Sequence, residues 1–146
     1  MKYKNQMLLE FPSNSVNEGF ARSAVACFAA QMDPTLDELG DIKTAVSEAV
    51  TNCIVHAYPD DIGKITVRCR ILEDNVLDIV VKDRGAGIED VEQARTPMYT
   101  TGGEERSGMG FTIMESFMNQ LKVSSQKGKG TTVHMKRKIL RRGGRP

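Results

Sequence analysis

No apolar run in the sequence approaches the roughly 20 residues that a membrane helix needs. The opening stretch, MKYKNQMLLEF, has neither the apolar core nor the small-residue cleavage site of a secretory signal. The expectation is a cytoplasmic protein with no membrane contact. Cysteine is scarce: Cys27, Cys53 and Cys69 are odd in number, widely spaced and set among apolar residues. They exclude a disulfide framework and are expected as reduced core residues. No Gly-x4-Gly-Lys-Ser/Thr occurs, which excludes P-loop chemistry. A His-Arg-Asp catalytic loop and a glycine-rich first loop are missing too, so Lys82–Gly85 (KDRG) is not the Asp-Phe-Gly element of a eukaryotic-type protein kinase. Nor does the body carry excess positive charge. The net charge is +1, and six basic residues with no acid fall in KRKILRRGGRP, residues 136–146, which leaves −5 on residues 1–135. That argues against a nucleic-acid-binding face. No internal repeat or interdomain linker is found.

What is present fits one soluble domain. The 146 residues are 40% apolar and 27% charged, enough for a sizeable core and too few for two ordinary domains. The domain is expected over 1–138, followed by a solvated basic tail, 139–146. NQMLLEF reads as a first strand. PSNSVNEGFARSAVACFAAQM reads as a helix capped by Ser13 or Ser15, with an apolar stripe of Val16, Phe20, Ala24, Cys27 and Phe28. DPTLDELGDIKTAVSEAVTNCIVHA is the strongest helix: Asp33 as a cap, Pro34 in the first turn, and Thr35 with Glu38 at capping-box spacing. Its stripe is Leu39, Ile42, Val46, Ala49, Val50, Cys53 and Ala57. KITVRCRIL and VLDIVVK read as strands joined by the turn EDN. Residues 85–110 form a long loop, and loops of that length usually have a function. MGFTIMESFMNQL resumes as a helix whose methionines face the core. KVSSQ and TTVHMKRKI, turning at KGKG, close the chain as a hairpin. The order β-α-α-β-β-loop-α-β-β predicts a two-layer α/β sandwich, a mixed sheet with helices on one face.

Four clusters can carry chemistry. Glu48, Asn52 and His56 lie at i, i+4 and i+8, one polar line beside the buried stripe. Any one of them fits a solvated helix edge, but Asn inside a helix needs a reason. A carboxylate and an amide oxygen one turn apart suit a magnesium ion, a reacting hydroxyl, or both. Next, a strand runs into Asp83, Gly85 and Gly87. An ordinary turn explains Asp and one Gly; a second glycine allows close approach of backbone to a flat ligand, and the acid can accept from an exocyclic amine such as that of adenine. Third, Gly108 and Gly110 open a helix, where free N–H groups favour phosphate, and Arg106 stands just before them. Fourth, GKGTT, residues 128–132, fits a plain hairpin turn equally well. Cys53 and His56 share a helix face at i, i+3, but two ligands do not make a zinc site.

Taken singly these clusters are more often structural. In this order together, Glu48-x3-Asn52, Asp83-x-Gly85-x-Gly87, Gly108-x-Gly110 and Gly128-x-Gly130-Thr131-Thr132, the sequence resembles the Bergerat-fold (GHKL) ATPases, the superfamily of gyrase and the histidine-kinase catalytic domains. Within it, VSEAVTNCIVHAY, VKDRGAGI, MYTTGGEERSGMGFTIMESFM and GKGTTV are similar to the anti-sigma-factor serine kinases, the sporulation group above all. The likeness runs from about Met7 to Met135. It implies ATP and Mg²⁺ as cofactors. It also implies that Asn52 is the metal ligand and Glu48 the catalytic base, with Asp83 reading the adenine amine and Thr132 completing that network. Gly85 and Gly87 would clear room for the nucleotide, Gly108 and Gly110 would seat the phosphates, and a lid from about Arg95 to Ser107 would bring Arg106 to the γ-phosphate. GGEE in the lid is shorter and richer in glycine than in close relatives. The implied protein holds a sigma F-like sporulation sigma factor and phosphorylates a serine of an anti-anti-sigma factor. It is a homodimer, and Arg22 is a candidate partner contact. The alternative is an ATP-gated anti-sigma binding module without kinase activity. A histidine-kinase fragment fits less well, because no helix pair bearing a phospho-acceptor histidine precedes the domain.

Overall fold

The computed structural model describes residues 2–88, 90, 91, 95 and 110–140. Strand β1 (Tyr3–Pro12) leads to helix α1 (Asn17–Ala29), a 3-10 turn (Ala30–Met32) and helix α2 (Leu36–Asn52), which runs on as a π-helical turn, Cys53–Ala57. β2 (Lys64–Leu72) and β3 (Val76–Asp83) follow, then α3 (Gly110–Phe117), β4 (Gln120–Gln126) and β5 (Gly130–Lys138). The sheet order is β1-β2-β3-β5-β4. The two-layer arrangement is as expected, with one correction: all four pairings are antiparallel, so the sheet is not mixed. The reason is topological. β4 runs parallel to β3, as a crossover through a helix dictates, but β5 folds back between them, so no parallel pair is adjacent.

The inner face of the sheet is written by alternation. Ile65, Val67, Cys69 and Ile71 of β2 face the helices, together with Leu77, Ile79 and Val81 of β3 and Val133 and Met135 of β5, and all are buried. Against them lies α2, which buries Ile42, Ala45, Val46, Ala49, Val50 and then Cys53 and Ala57. Each fully buried Val or Ile contributes about 1.5–3 kcal/mol, so α2 is fixed in rotation, and its polar line is fixed with it. Thr35 caps this helix. Its Oγ1 accepts from the Glu38 amide at 3.0 Å and Glu38 Oε1 accepts from the Thr35 amide at 2.8 Å. Asp33 is not the cap. It ends the 3-10 turn in the left-handed region, φ 57°. α3 buries Phe111 and Met114 against the core, and Met118 just after it is also buried.

The stripe of α1 differs from the expected one. Ala21, Val25, Phe28 and Ala29 are buried, while Val16, Phe20 and Cys27 are exposed. Val16, rather than Ser13 or Ser15, occupies the N-cap position, without a side-chain cap. The Ser13 hydroxyl accepts from the Gly63 amide instead, at 3.0 Å, stitching the end of β1 to the start of β2. Phe20 packs edge-on against Phe11, ring centroids 6.4 Å apart, which explains an aromatic on the outer side. The packed chain also extends past 138. Ile139 is fully buried, its amide donates to Asn75 O at 3.0 Å, and the Leu140 amide donates to Glu38 Oε2 at 3.2 Å.

Candidate functional site

The polar line of α2 meets the start of α3. A Cβ on Gly110 would lie 3.4 Å from both the Oδ1 and Nδ2 atoms of Asn52 and 3.5 Å from Glu48 Oε1. These are ordinary van der Waals distances, so the first turn of α3 lies directly against the carboxylate and the amide. Glu48 and Asn52 are both half-buried, so their oxygens remain reachable. An amide oxygen and a carboxylate are hard oxygen ligands suited to Mg²⁺, and the free N–H groups of the helix N-terminus beside them suit phosphate. Glu48 also lines a surface groove of about 300 Å³ with Arg22, Gly40, Lys43, Thr44 and Ser47. Arg22 in that groove pairs with Glu18, 3.6 Å away on the same helix.

The second part of the site is the end of β3. Asp83 is buried. Its Oδ1 accepts from the Gly85 amide at 3.0 Å and the Thr131 amide at 3.1 Å, and its Oδ2 accepts from the Cys53 thiol at 3.4 Å. Burial first, and the Asp83 charge second, push the Cys53 thiol well above its usual range. It therefore keeps its proton and stays a donor. Cys53 opens the π-helical turn directly after Asn52, a feature that often marks functional sites, so the two halves of the site meet at one junction of the chain. Nearby, the Tyr58 hydroxyl accepts from the Arg84 amide at 2.7 Å and donates to Lys64 O at 2.8 Å.

The glycines of the loop after β3 have a role in the protein's own packing. A Cβ at Gly85 would stand 2.2 Å from the Ala57 carbonyl oxygen, and one at Gly87 would stand 2.2 Å from the Gln126 carbonyl oxygen. Gly87 also has φ 75°, a conformation that side chains resist. Backbone bonds pin the loop from both sides: Ala86 N to Ala57 O at 3.0 Å, and Gly128 N to Ala86 O at 2.6 Å. Ser125 Oγ takes the Ile88 amide at 2.7 Å. These glycines thus give clearance to the backbone of the π-helical turn and of the β4–β5 hairpin. Gly130 does the same against the Asp83 carbonyl, 2.3 Å from a notional Cβ, at φ 115°.

The threonine beside Asp83 is Thr131, not Thr132. Thr131 points to the inner face with Val133 and Met135, whereas Thr132 pairs with Lys82 on the outer face. A one-residue difference in register reverses the face. His56 lies within the π-helical turn, away from the regular i+8 position. Arg106 and Gly108 lie outside the described residues, as does most of the expected lid. Its first residue, Arg95, closes a turn onto Val91 O at 3.0 Å and pairs with Glu115 of α3. Of the predicted residues, the structure brings together Glu48, Asn52 and Gly110, and separately Asp83, Gly85 and Gly87. It adds Cys53, Gly130 and Thr131. Cys53 was visible in sequence only as a core position; its place immediately after Asn52 was the available signal.

The chain matches the histidine kinase-like ATPase domain family over residues 11–137. It is 60% identical to the anti-sigma F factor of Caldanaerobacter subterraneus subsp. tengcongensis, across 97% of this chain and 99% of that one. It is 54% identical to the anti-sigma F factor of Clostridium acetobutylicum, across 93% and 95%. Among solved structures, the RsbU and RsbW domains of a Mycobacterium tuberculosis protein superpose with a TM-score of 0.69. That match covers 93% of this chain and 32% of the other at 19% identity, a likeness of fold. A blue-light activated histidine kinase of Erythrobacter litoralis gives a TM-score of 0.58 at 26% identity over 73% of this chain and 32% of that one.

Proposed function

The chain belongs to the histidine kinase-like ATPase domain family and, within it, to the anti-sigma F factors, and from that premise we propose that it is an ATP-dependent protein serine kinase that also sequesters a sporulation sigma factor. Its substrate is a serine of an anti-anti-sigma protein, and it works as a homodimer in the cytoplasm. The observation that carries the kinase half is the convergence of Glu48 and Asn52 on the first residue of α3. A structural helix edge has no need to aim a carboxylate and an amide at the N-terminus of another helix.

In this reading Asp83 accepts from the adenine 6-amino group. Asn52 offers its amide oxygen to Mg²⁺, which neutralises phosphate charge when bound. The α3 amides hold phosphate oxygens, and Arg106 approaches the γ-phosphate from the lid. Glu48 accepts the serine proton as the hydroxyl oxygen attacks the γ-phosphorus and ADP departs. The groove beside Glu48, lined by Arg22 and Lys43, is where the substrate protein would approach. Most of the rate comes from positioning and charge stabilisation, with a smaller share from the base.

The test is Glu48→Gln. Nucleotide titration should show ATP affinity within about twofold of wild type, because the base does not hold the nucleotide. Transfer of label from [γ-³²P]ATP to the anti-anti-sigma partner should fall roughly a hundredfold or more. Undiminished labelling would overturn the base assignment. A wild-type protein that binds ATP and the sigma factor but never labels the partner would favour the alternative, an ATP-gated binding module.

A further inference from the structure

We propose that Cys53 is a positioning residue for adenine recognition, its thiol fixing the one lone pair of Asp83 left for the base. This rests on Asp83 being the adenine reader. The argument is a count of acceptor sites. An ionised carboxylate offers two lone-pair sites per oxygen. On Oδ1 both are taken by main-chain amides, Gly85 N at 3.0 Å and Thr131 N at 3.1 Å. A ligand donor is therefore left with Oδ2. There one site is taken by the Cys53 thiol at 3.4 Å, and one remains.

The thiol decides which one. Without it the exocyclic amine would face an oxygen with two equivalent sites, and the carboxyl would be held only from its Oδ1 side. With it the vacant direction is single. Burial supports the assignment, because Cys53 has no solvent route to another partner. Every donor now on Asp83 completes the same pattern: the group is an acceptor, already oriented, and can take only a donor from the base. That favours a purine with a 6-amino group over one with a 6-oxo group. The residue also ties the two halves of the site together. Cys53 opens the π-helical turn directly after Asn52, the last residue of α2, and the carbonyl that ends this turn, Ala57 O, anchors the loop after Asp83. The turn that holds the base reader is thereby a direct continuation of the helix that carries the metal-side amide.

The test compares ADP with the diphosphate of purine riboside, which lacks only the 6-amino group, by calorimetric titration. The wild-type protein should prefer ADP. Cys53→Ala should shrink that preference about three- to tenfold, the scale of one weak buried hydrogen bond and the orientation it holds. Binding of the amine-free nucleotide should stay within about twofold. Cys53→Ser restores a donor and should restore the preference. Cys53→Val fills the space without a donor and should behave like alanine, which keeps the test informative if the alanine variant does not fold. An unchanged preference in both apolar variants overturns the proposal. Asp83→Asn separates the two levels: if it abolishes the preference while Cys53→Ala and Cys53→Val retain it, only the role of Cys53 fails. If Asp83→Asn also leaves the preference intact, the underlying assignment of Asp83 fails.

Discussion

At the scale of single residues, environment rather than residue type decides what a cysteine does here. All three were expected in the core, yet Cys27 is exposed while Cys53 and Cys69 are buried. Burial, with a smaller contribution from Asp78, raises the Cys69 thiol to about 12, and Cys53 is raised well above its usual value. A raised thiol pKa means less thiolate at a given pH, and thiolate is the reacting form. At pH 8 an aromatic disulfide reagent should therefore release one equivalent of chromophore rapidly, from Cys27, and all three only after denaturation. Two fast equivalents from the native protein would show that the core around Cys53 or Cys69 is open. Alternation and charge could not have revealed this difference, because Cys27 sits in an alanine-rich stretch that is apolar on more than one side.

The same limit shows in which site residues the sequence disclosed. Glu48, Asn52 and Asp83 were legible because each is a polar residue beside or within an apolar pattern. The adjacency of Thr131 to Asp83 was not, since Thr131 and Thr132 are identical in type and only strand register distinguishes their faces. Gly85 and Gly87 were legible as necessary glycines, but their partners, Ala57 O and Gln126 O, come from segments far apart in the chain.

At the scale of elements, the helix and inner face of α2 were legible because local and global signals agree on them: a capping box, a 3.6-residue stripe and a buried face. The cap expected at Asp33 is not there. α1 was misread by one position of phase. Phe20 is a large apolar residue, and its use against Phe11 at the surface outweighed the small true stripe of Ala21, Val25, Phe28 and Ala29 in a sequence pattern. The cap of α2 has an additional duty, since Glu38 holds the Thr35 amide with one oxygen and the Leu140 amide with the other. Thr35→Ala removes the side-chain acceptor for the Glu38 amide and should cost about 1 kcal/mol. For a domain of this size that is a fall of about 4 °C in Tm. Circular dichroism melting would check it, and an unchanged Tm would mean the cap is replaced by solvent. Nucleotide affinity measured below the transition should be unaltered, because Thr35 lies at the end of α2 opposite to Asn52.

At the scale of the whole molecule, the proposed site has no single-element origin. It requires α2 for Glu48 and Asn52, β3 for Asp83, β5 for the Thr131 amide and α3 for Gly110, and the sheet order interleaves them so that β5 adjoins β3. An unfolded chain possesses none of this geometry, so a nucleotide that binds here binds the native state alone. Mass action then fixes the expected effect: at a hundred times its Kd, ADP with Mg²⁺ should stabilise the fold by about 2.7 kcal/mol, a rise of roughly 10 °C in Tm. Asp83→Asn retains an oxygen for the Gly85 and Thr131 amides but can turn an NH₂ toward Cys53 and the incoming amine, setting donor against donor. A tenfold loss of affinity from that exchange would roughly halve the shift at the same ADP concentration. Glu48→Gln should show the full shift, since it is assigned to the transfer step and not to holding the nucleotide. Differential scanning fluorimetry on the three proteins measures all of this in one series. Equal shifts in all three would contradict the placement of the base at Asp83, and a reduced shift in Glu48→Gln would move Glu48 from the transfer step into the binding of nucleotide.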